Sequence, residues 1–167
     1  GFGAIGKSLA TRLTEGAVPG VVLTAVSAKN QDKAKEFVGT LAYPVKVLSI
    51  SELEPEADVV VECAPAELLS DIVAPFLRAK KKAIVLSVGA ILFKPELIEL
   101  AKTTGGKIMV PTGALIGLDA MVAAAEGEIF SVKMVTNKPP LGLKGAPHLI
   151  ENNISVDGLT QPLKVFS

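Results

Sequence analysis

Residues 1–6 read Gly1-Phe2-Gly3-Ala4-Ile5-Gly6, three glycines at the spacing G-x-G-x-x-G. In a turn that opens a helix, that spacing has a physical task. The first glycine permits a tight turn, the second lets a diphosphate approach the backbone, and the third allows close packing. The diphosphate then meets free N–H groups at the positive end of the helix. The next segment, AIGKSLATRLTEG, sets Ile5, Leu9 and Leu13 at helical spacing and stops at Gly16. A short β-branched run, Val21 to Ser27, reads as a strand. Glycine turn, amphipathic helix and strand, in that order, predict a dinucleotide-binding unit. Such a motif should itself follow a strand. None stands ahead of Gly1 in the sequence, so the reading expects a chain that begins just past its first, central strand.

Outward from the motif, strands and helices alternate. Asn30 is placed to cap a helix running to about Leu41, and VKVL (residues 45–48) reads as a strand. ADVVVECAP carries three consecutive valines, as a strand covered on both faces would, and KAIVLSVGA and KIMVP look the same. Helices fit between them at Ala66 to Arg78, despite Pro75, and at Pro95 to Thr104, with Gly105-Gly106 as a stop. The fold class is α/β: a Rossmann-type, doubly wound parallel sheet over residues 1–111. After Pro111 the rhythm changes. GLDAMVAAAEG reads as a helix, EIFSVKMVTN as a longer strand, KPPLGLKGAP as a Pro/Gly-rich connection, and the last twenty residues as strand fragments. Residues 112–167 are expected to open a second, α+β domain. Without a first strand, the second and fourth strands either flank an empty lane or slide together.

Composition excludes several function classes. Lys plus Arg equals Asp plus Glu at 17 each, so no net charge favours nucleic acid or an anionic membrane. No apolar run approaches the roughly 18 residues of a membrane span. The single cysteine, Cys63, forms no internal disulfide and no cysteine metal cluster, and suits the reducing cytoplasm. With 49% hydrophobic residues the chain has ample material for a core.

The end of the second strand commonly reads the ribose: an acid holds the NAD 2′-hydroxyl, and a basic residue accommodates the NADP 2′-phosphate. Here the stretch is VSAKNQD, with no acid between Gly16 and Gln31. Ser27 and Lys29 are therefore candidates for a phosphate contact, and NADP, or use of both NADP and NAD, is expected.

At VVECAP, SVGAI, PTGALIGLDA and KPPLGLKGAP the sequence resembles the L-aspartate dehydrogenase family, in order and over nearly the whole chain. The resemblance implies a Rossmann domain followed by an α+β domain that shapes the active site and a homodimer. It implies NAD(P)-dependent oxidative deamination of L-aspartate through iminoaspartate, which in some organisms feeds NAD biosynthesis. Carried over by position, Gly1, Gly3, Ala4, Ile5 and Gly6 match the phosphate loop. Cys63, Ala64 and Pro65 match the strand end that lines the cofactor, and Ala114 matches a cofactor-contacting alanine. Ile116 stands where the family often has a glycine. The family's catalytic histidine and an asparagine near the nicotinamide match no position here, so no catalytic residue is assigned.

Other candidates read as structural. His148, the only histidine, follows Pro147 and reads as a surface or interface residue in a loop. Cys63 reads as a small buried strand residue, Asp119 as a helix cap or brace, and Lys138 either as an attractor of a substrate carboxylate or as a solvated lysine before a rigid turn. Lys80 to Lys82 suit a helix C-terminus. Two alternatives stay open: another two-domain Rossmann oxidoreductase, disfavoured by SVGA where a sugar-oxidoreductase carries Glu-Lys-Pro, and a non-catalytic NADP-binding sensor.

Overall fold

Helix α1 (Ala4–Thr14) starts directly on the glycine motif, with Gly3 at its N-cap. The face it buries is not the expected apolar row. Gly6, Ala10 and Thr14 are buried, whereas Ile5 is 61% exposed. The reason is proximity: at Gly6 the helix comes so close to the Gly1 carbonyl that a Cβ there would overlap it. A row of small residues fits such an approach and a branched one does not.

A computed structural model describes residues 1–113 and 117–166, grouped into two compact units, Gly1–Ile116 and Gly117–Ser167. In the first unit, β1 (Ala25–Val26) pairs in parallel with β2 (Lys46–Val47), Ala25 opposite Lys46. Both are shorter than expected. Val21 and Val22 have no ladder partner among the described residues, and extended chain becomes strand only where a neighbour completes the ladder. Between them α2 (Gln31–Val38) is capped by Asn30, whose Oδ1 accepts the Lys33 N–H at 2.9 Å. It stops at Gly39, short of Leu41.

Two single 3-10 turns (Ile50–Glu52 and Glu54–Glu56) lead into β3 (Val59–Glu62). Then come α3 (Leu69–Arg78), β4 (Lys82–Val85), α4 (Val88–Ile91), α5 (Pro95–Thr104) and β5 (Lys107–Met109). The strands lie parallel in the order β3-β4-β5, with Val60 opposite Ala83 and Ala83 opposite Ile108. The strand expected through Ala90 ends at Val85, because Ser87 gives its N–H to the Glu62 side chain and the next residues turn helical. Pro75 lacks the N–H that would reach back along α3, yet the helix runs on to Arg78 because Phe76 and Leu77 are fixed in the core. Gly105 ends α5 at a φ of +81°, a conformation that favours glycine.

The core lies on one face of β3-β4-β5. Leu69, Ile72, Val73, Phe76 and Leu77 of α3 and Leu97 of α5 pack with Val60, Ala83 and Val85. The other face is not covered as the valine run suggests: Val60 is 8% exposed but Val59 is 39%. β1 and β3 share no ladder, so the lane between the two half-sheets stays open rather than collapsing. Val21, Val22 and Val59 line it.

In the second unit, α6 (Leu118–Ala124) follows Gly117 and α7 (Pro147–Glu151) follows Ala146. The strand expected over residues 128–137 does not form, and the described residues from 148 to 166 hold no strand. Alternation predicts a strand only if a ladder partner exists, and the described residues of this unit supply none. Among the described residues no helix is long and apolar enough to cross a membrane.

Candidate cofactor site

The three glycines do different things. A Cβ at Gly1 would meet the Cys63 carbonyl and Ala64 Cα, and one at Gly6 would meet the Gly1 carbonyl. These two positions hold the turn against the end of β3 and against α1. A Cβ at Gly3 would meet nothing within 4 Å. Gly3 thus presents bare backbone to open space at the N-terminus of an eleven-residue helix that has no side-chain cap and no acid in its first turn. Uncapped N–H groups at that end favour an anion. This donor set fits the diphosphate of a dinucleotide.

The turn is tied down from two sides. Cys63 Sγ donates to the Gly1 carbonyl at 3.1 Å. Burial pushes the Cys63 thiol above the ordinary cysteine range, so it serves as a neutral donor and not as a thiolate nucleophile. On the other side the Phe2 ring meets Phe37 of α2 edge-on, with centroids 5.4 Å apart, and Lys7 Nζ lies 4.7 Å from the Phe37 centroid. Sequence reading missed this cluster, since Phe2 and Phe37 are joined only by the folded chain.

One groove of about 2240 Å³ runs along the C-terminal ends of β1 and β3 and down the open lane. Gly1, Gly3 and Gly6 line it together with Ser27 and Lys29 beyond β1 and Cys63, Ala64 and Pro65 beyond β3. Eight expected site residues are therefore brought to one groove. Ala4 and Ile5 lie outside it, on a separate shallow depression with Leu9 and Leu13. Ala114 and Ile116 fall outside the described residues. Ser27 is half-buried, Lys29 is exposed, and Lys29 joins no salt bridge among the described residues.

The remaining candidates lie elsewhere. His148 sits in the first turn of α7 rather than in a loop, because Pro147 starts a helix there. Its Nε2 donates to the Val165 carbonyl at 3.3 Å, its Nδ1 faces Asn152 Nδ2 at 3.3 Å, and its ring packs against Phe166. Asp119 is exposed and makes no cap: Gly117 opens α6 at a φ of +84°. Lys138 is exposed, and Lys81 pairs with Glu54 at 2.7 Å. Among the described residues no group of three or more His, Cys, Asp or Glu is placed to hold a metal.

Residues 1–111 match the family described as "Homoserine dehydrogenase, NAD binding domain". The chain is 55% identical, over all of its length, to L-aspartate dehydrogenase 3 of Bordetella bronchiseptica, and 49% identical over 99% of its length to an L-aspartate dehydrogenase of Bradyrhizobium diazoefficiens. It spans 61% and 59% of those two relatives. An NAD binding oxidoreductase from Klebsiella pneumoniae superposes with a TM-score of 0.56 at 21% identity, over 77% of this chain and 38% of that one. That likeness shows the Rossmann-type fold.

Proposed function

This chain belongs to the homoserine dehydrogenase NAD-binding domain family and resembles L-aspartate dehydrogenases throughout, and from that premise we propose that its protein oxidatively deaminates L-aspartate with a nicotinamide cofactor. The product is iminoaspartate, which hydrolyses to oxaloacetate and ammonia. The observation that carries the reading is Gly3: bare backbone at an uncapped helix N-terminus, in the groove that also holds Ser27, Lys29 and the Cys63–Pro65 turn.

The cofactor, when bound, supplies the acceptor for the α-hydrogen and its electron pair. The residues of this chain bind and orient. The α1 N-terminus and Gly3 receive the diphosphate, Ala4 and Ile5 contribute the first-turn backbone, and the Cys63–Pro65 turn forms one wall. Ser27 and Lys29 receive a 2′-phosphate, which favours NADP over NAD. Residues 112–167, including Ala114, open the substrate and dimerisation domain of a cytoplasmic homodimer. The base that takes the ammonium proton is not assigned to this chain.

Two measurements test the reading. L-Aspartate-dependent reduction of NADP by the protein separates an enzyme from a dinucleotide sensor. Lys29→Asp is expected to weaken NADPH roughly 10–100-fold, the ~1.5–3 kcal/mol expected of a charge-assisted contact, and NADH by less than twofold. Equal losses for both cofactors would sink the Lys29 assignment.

A further inference from the structure

β3 ends on Glu62, a carboxylate with 0% exposure. Among the described residues it joins no salt bridge. Three donors hold it instead. Oε1 accepts the Ala64 N–H at 2.8 Å and the Ser87 hydroxyl at 3.0 Å, and Oε2 accepts the Ser87 N–H at 2.9 Å. Removing a carboxylate from water without a cation is expensive, and an apolar residue such as Val60 fills the neighbouring inward position of the same strand without that penalty. Packing therefore does not explain a glutamate here.

Its partners do. Ala64 lies in the turn after β3 and Ser87 in the turn after β4, and these strands are neighbours in register, Glu62 opposite Val85. One side chain thus joins the two turns at the C-terminal edge of a parallel sheet, the edge at which such sheets bind ligands. The joint reaches further: Cys63, between Glu62 and Ala64, donates to the Gly1 carbonyl. Glu62 itself does not line the groove, whereas Ala64, Pro65 and Gly1 do.

We infer that Glu62 is a positioning residue: its buried carboxylate locks the turns after β3 and β4 together and so holds the Ala64–Pro65 wall and the glycine turn in the arrangement that receives the dinucleotide. The inference rests on the cofactor reading above. A carboxylate is required because each of its oxygens faces a backbone N–H, Oε1 that of Ala64 and Oε2 that of Ser87, whereas the Ser87 hydroxyl can turn to the Ala64 carbonyl 3.3 Å away. Glutamine has the same shape but one acceptor oxygen, so its NH2 group faces one of those two N–H groups.

The test uses the protein that contains this chain, with Glu62→Gln and, as a control for plain destabilisation, Leu97→Ala in the core of α5. NADPH and NADH affinities are read by fluorescence well below the melting temperature, and amide hydrogen exchange is read at Ala64 and Ser87. Losing one acceptor for a buried donor predicts about tenfold weaker binding and about tenfold faster exchange at the amide left facing the NH2 group, Ala64 or Ser87. Leu97→Ala is expected to lower Tm while leaving affinity within about twofold. Glu62→Gln binding within twofold of wild type, or exchange unchanged at both amides, overturns the inference. So does an equal affinity loss in Leu97→Ala, which would make Glu62 merely structural. If Glu62→Gln does not fold, Ser87→Ala removes one donor, and an affinity within experimental error of wild type overturns the inference. A wild-type protein that binds neither dinucleotide overturns the cofactor reading and the positioning role with it, while exchange at Ala64 and Ser87 still reports whether the carboxylate joins the turns.

Discussion

Gly3→Ala and Gly6→Ala separate the part of the glycine motif that serves the ligand from the part that serves the fold. At Gly6 a Cβ would lie 2.2 Å from the Gly1 carbonyl oxygen, more than an ångström inside ordinary contact, and 3.4 Å from Cys63 Sγ. Either α1 or the turn must move, and the bond from Cys63 to the Gly1 carbonyl is strained with it. Overpacking of this kind costs about 1–3 kcal/mol. At about 2–4 °C per kcal/mol for a chain of this size, Tm falls by roughly 2–12 °C. At Gly3 a Cβ would touch nothing, and φ is −80°, so the change costs only the N-cap preference of glycine over alanine, about 1 kcal/mol or less. Gly3 lines the groove, and on the proposed cofactor reading the methyl group stands where the diphosphate meets the α1 N-terminus. Losing one charge-assisted hydrogen bond, about 1.5–3 kcal/mol, weakens the dinucleotide roughly 10–100-fold. Calorimetric melting and fluorescence titration of both variants check this. Gly3→Ala binding within twofold of wild type would refute the ligand role of that face, and a Gly6→Ala Tm no lower than that of Gly3→Ala would refute the close approach of α1.

The neighbouring pair Gly105 and Gly106 allows a purely structural contrast. A Cβ at Gly106 would meet Leu77 backbone atoms at 2.7 and 2.8 Å, so Gly106→Ala should destabilise by about 1–3 kcal/mol in denaturant titrations, and Leu77→Ala should not rescue it because the backbone clash remains. Gly105→Ala, strained only by its positive φ, should cost about 1–2 kcal/mol with no steric component. Burial raises the Cys63 thiol, so the thiolate is scarcer than in an open cysteine at the same pH: iodoacetamide should label Cys63 more slowly than a free thiol at pH 8 and accelerate as pH rises, and labelling at the free-thiol rate would contradict its burial.

Features set by near neighbours in the chain were legible in the sequence. Asn30 caps α2 because its side chain reaches an amide three residues on, and Pro95 and Gly105 bound α5 because their own dihedral preferences start and stop a helix. The parallel order followed from alternation, and the glycine motif led to the groove that also collects Ser27, Lys29 and the Cys63–Pro65 turn. What distance along the chain conceals was not legible. Periodicity marked Ile5, Leu9 and Leu13 as an inner face, but how near α1 comes to the Gly1 and Cys63 backbone decides which face is buried, and the small-residue row won. Residues 128–137 alternate like a strand, yet alternation supplies no partner for the ladder. In the sequence Glu62 does no more than follow three valines. Its role became visible only when Ser87, twenty-five residues away, was brought to its carboxylate, because buried charge is tolerated or excluded by the donors around it, and those are assembled by tertiary structure alone.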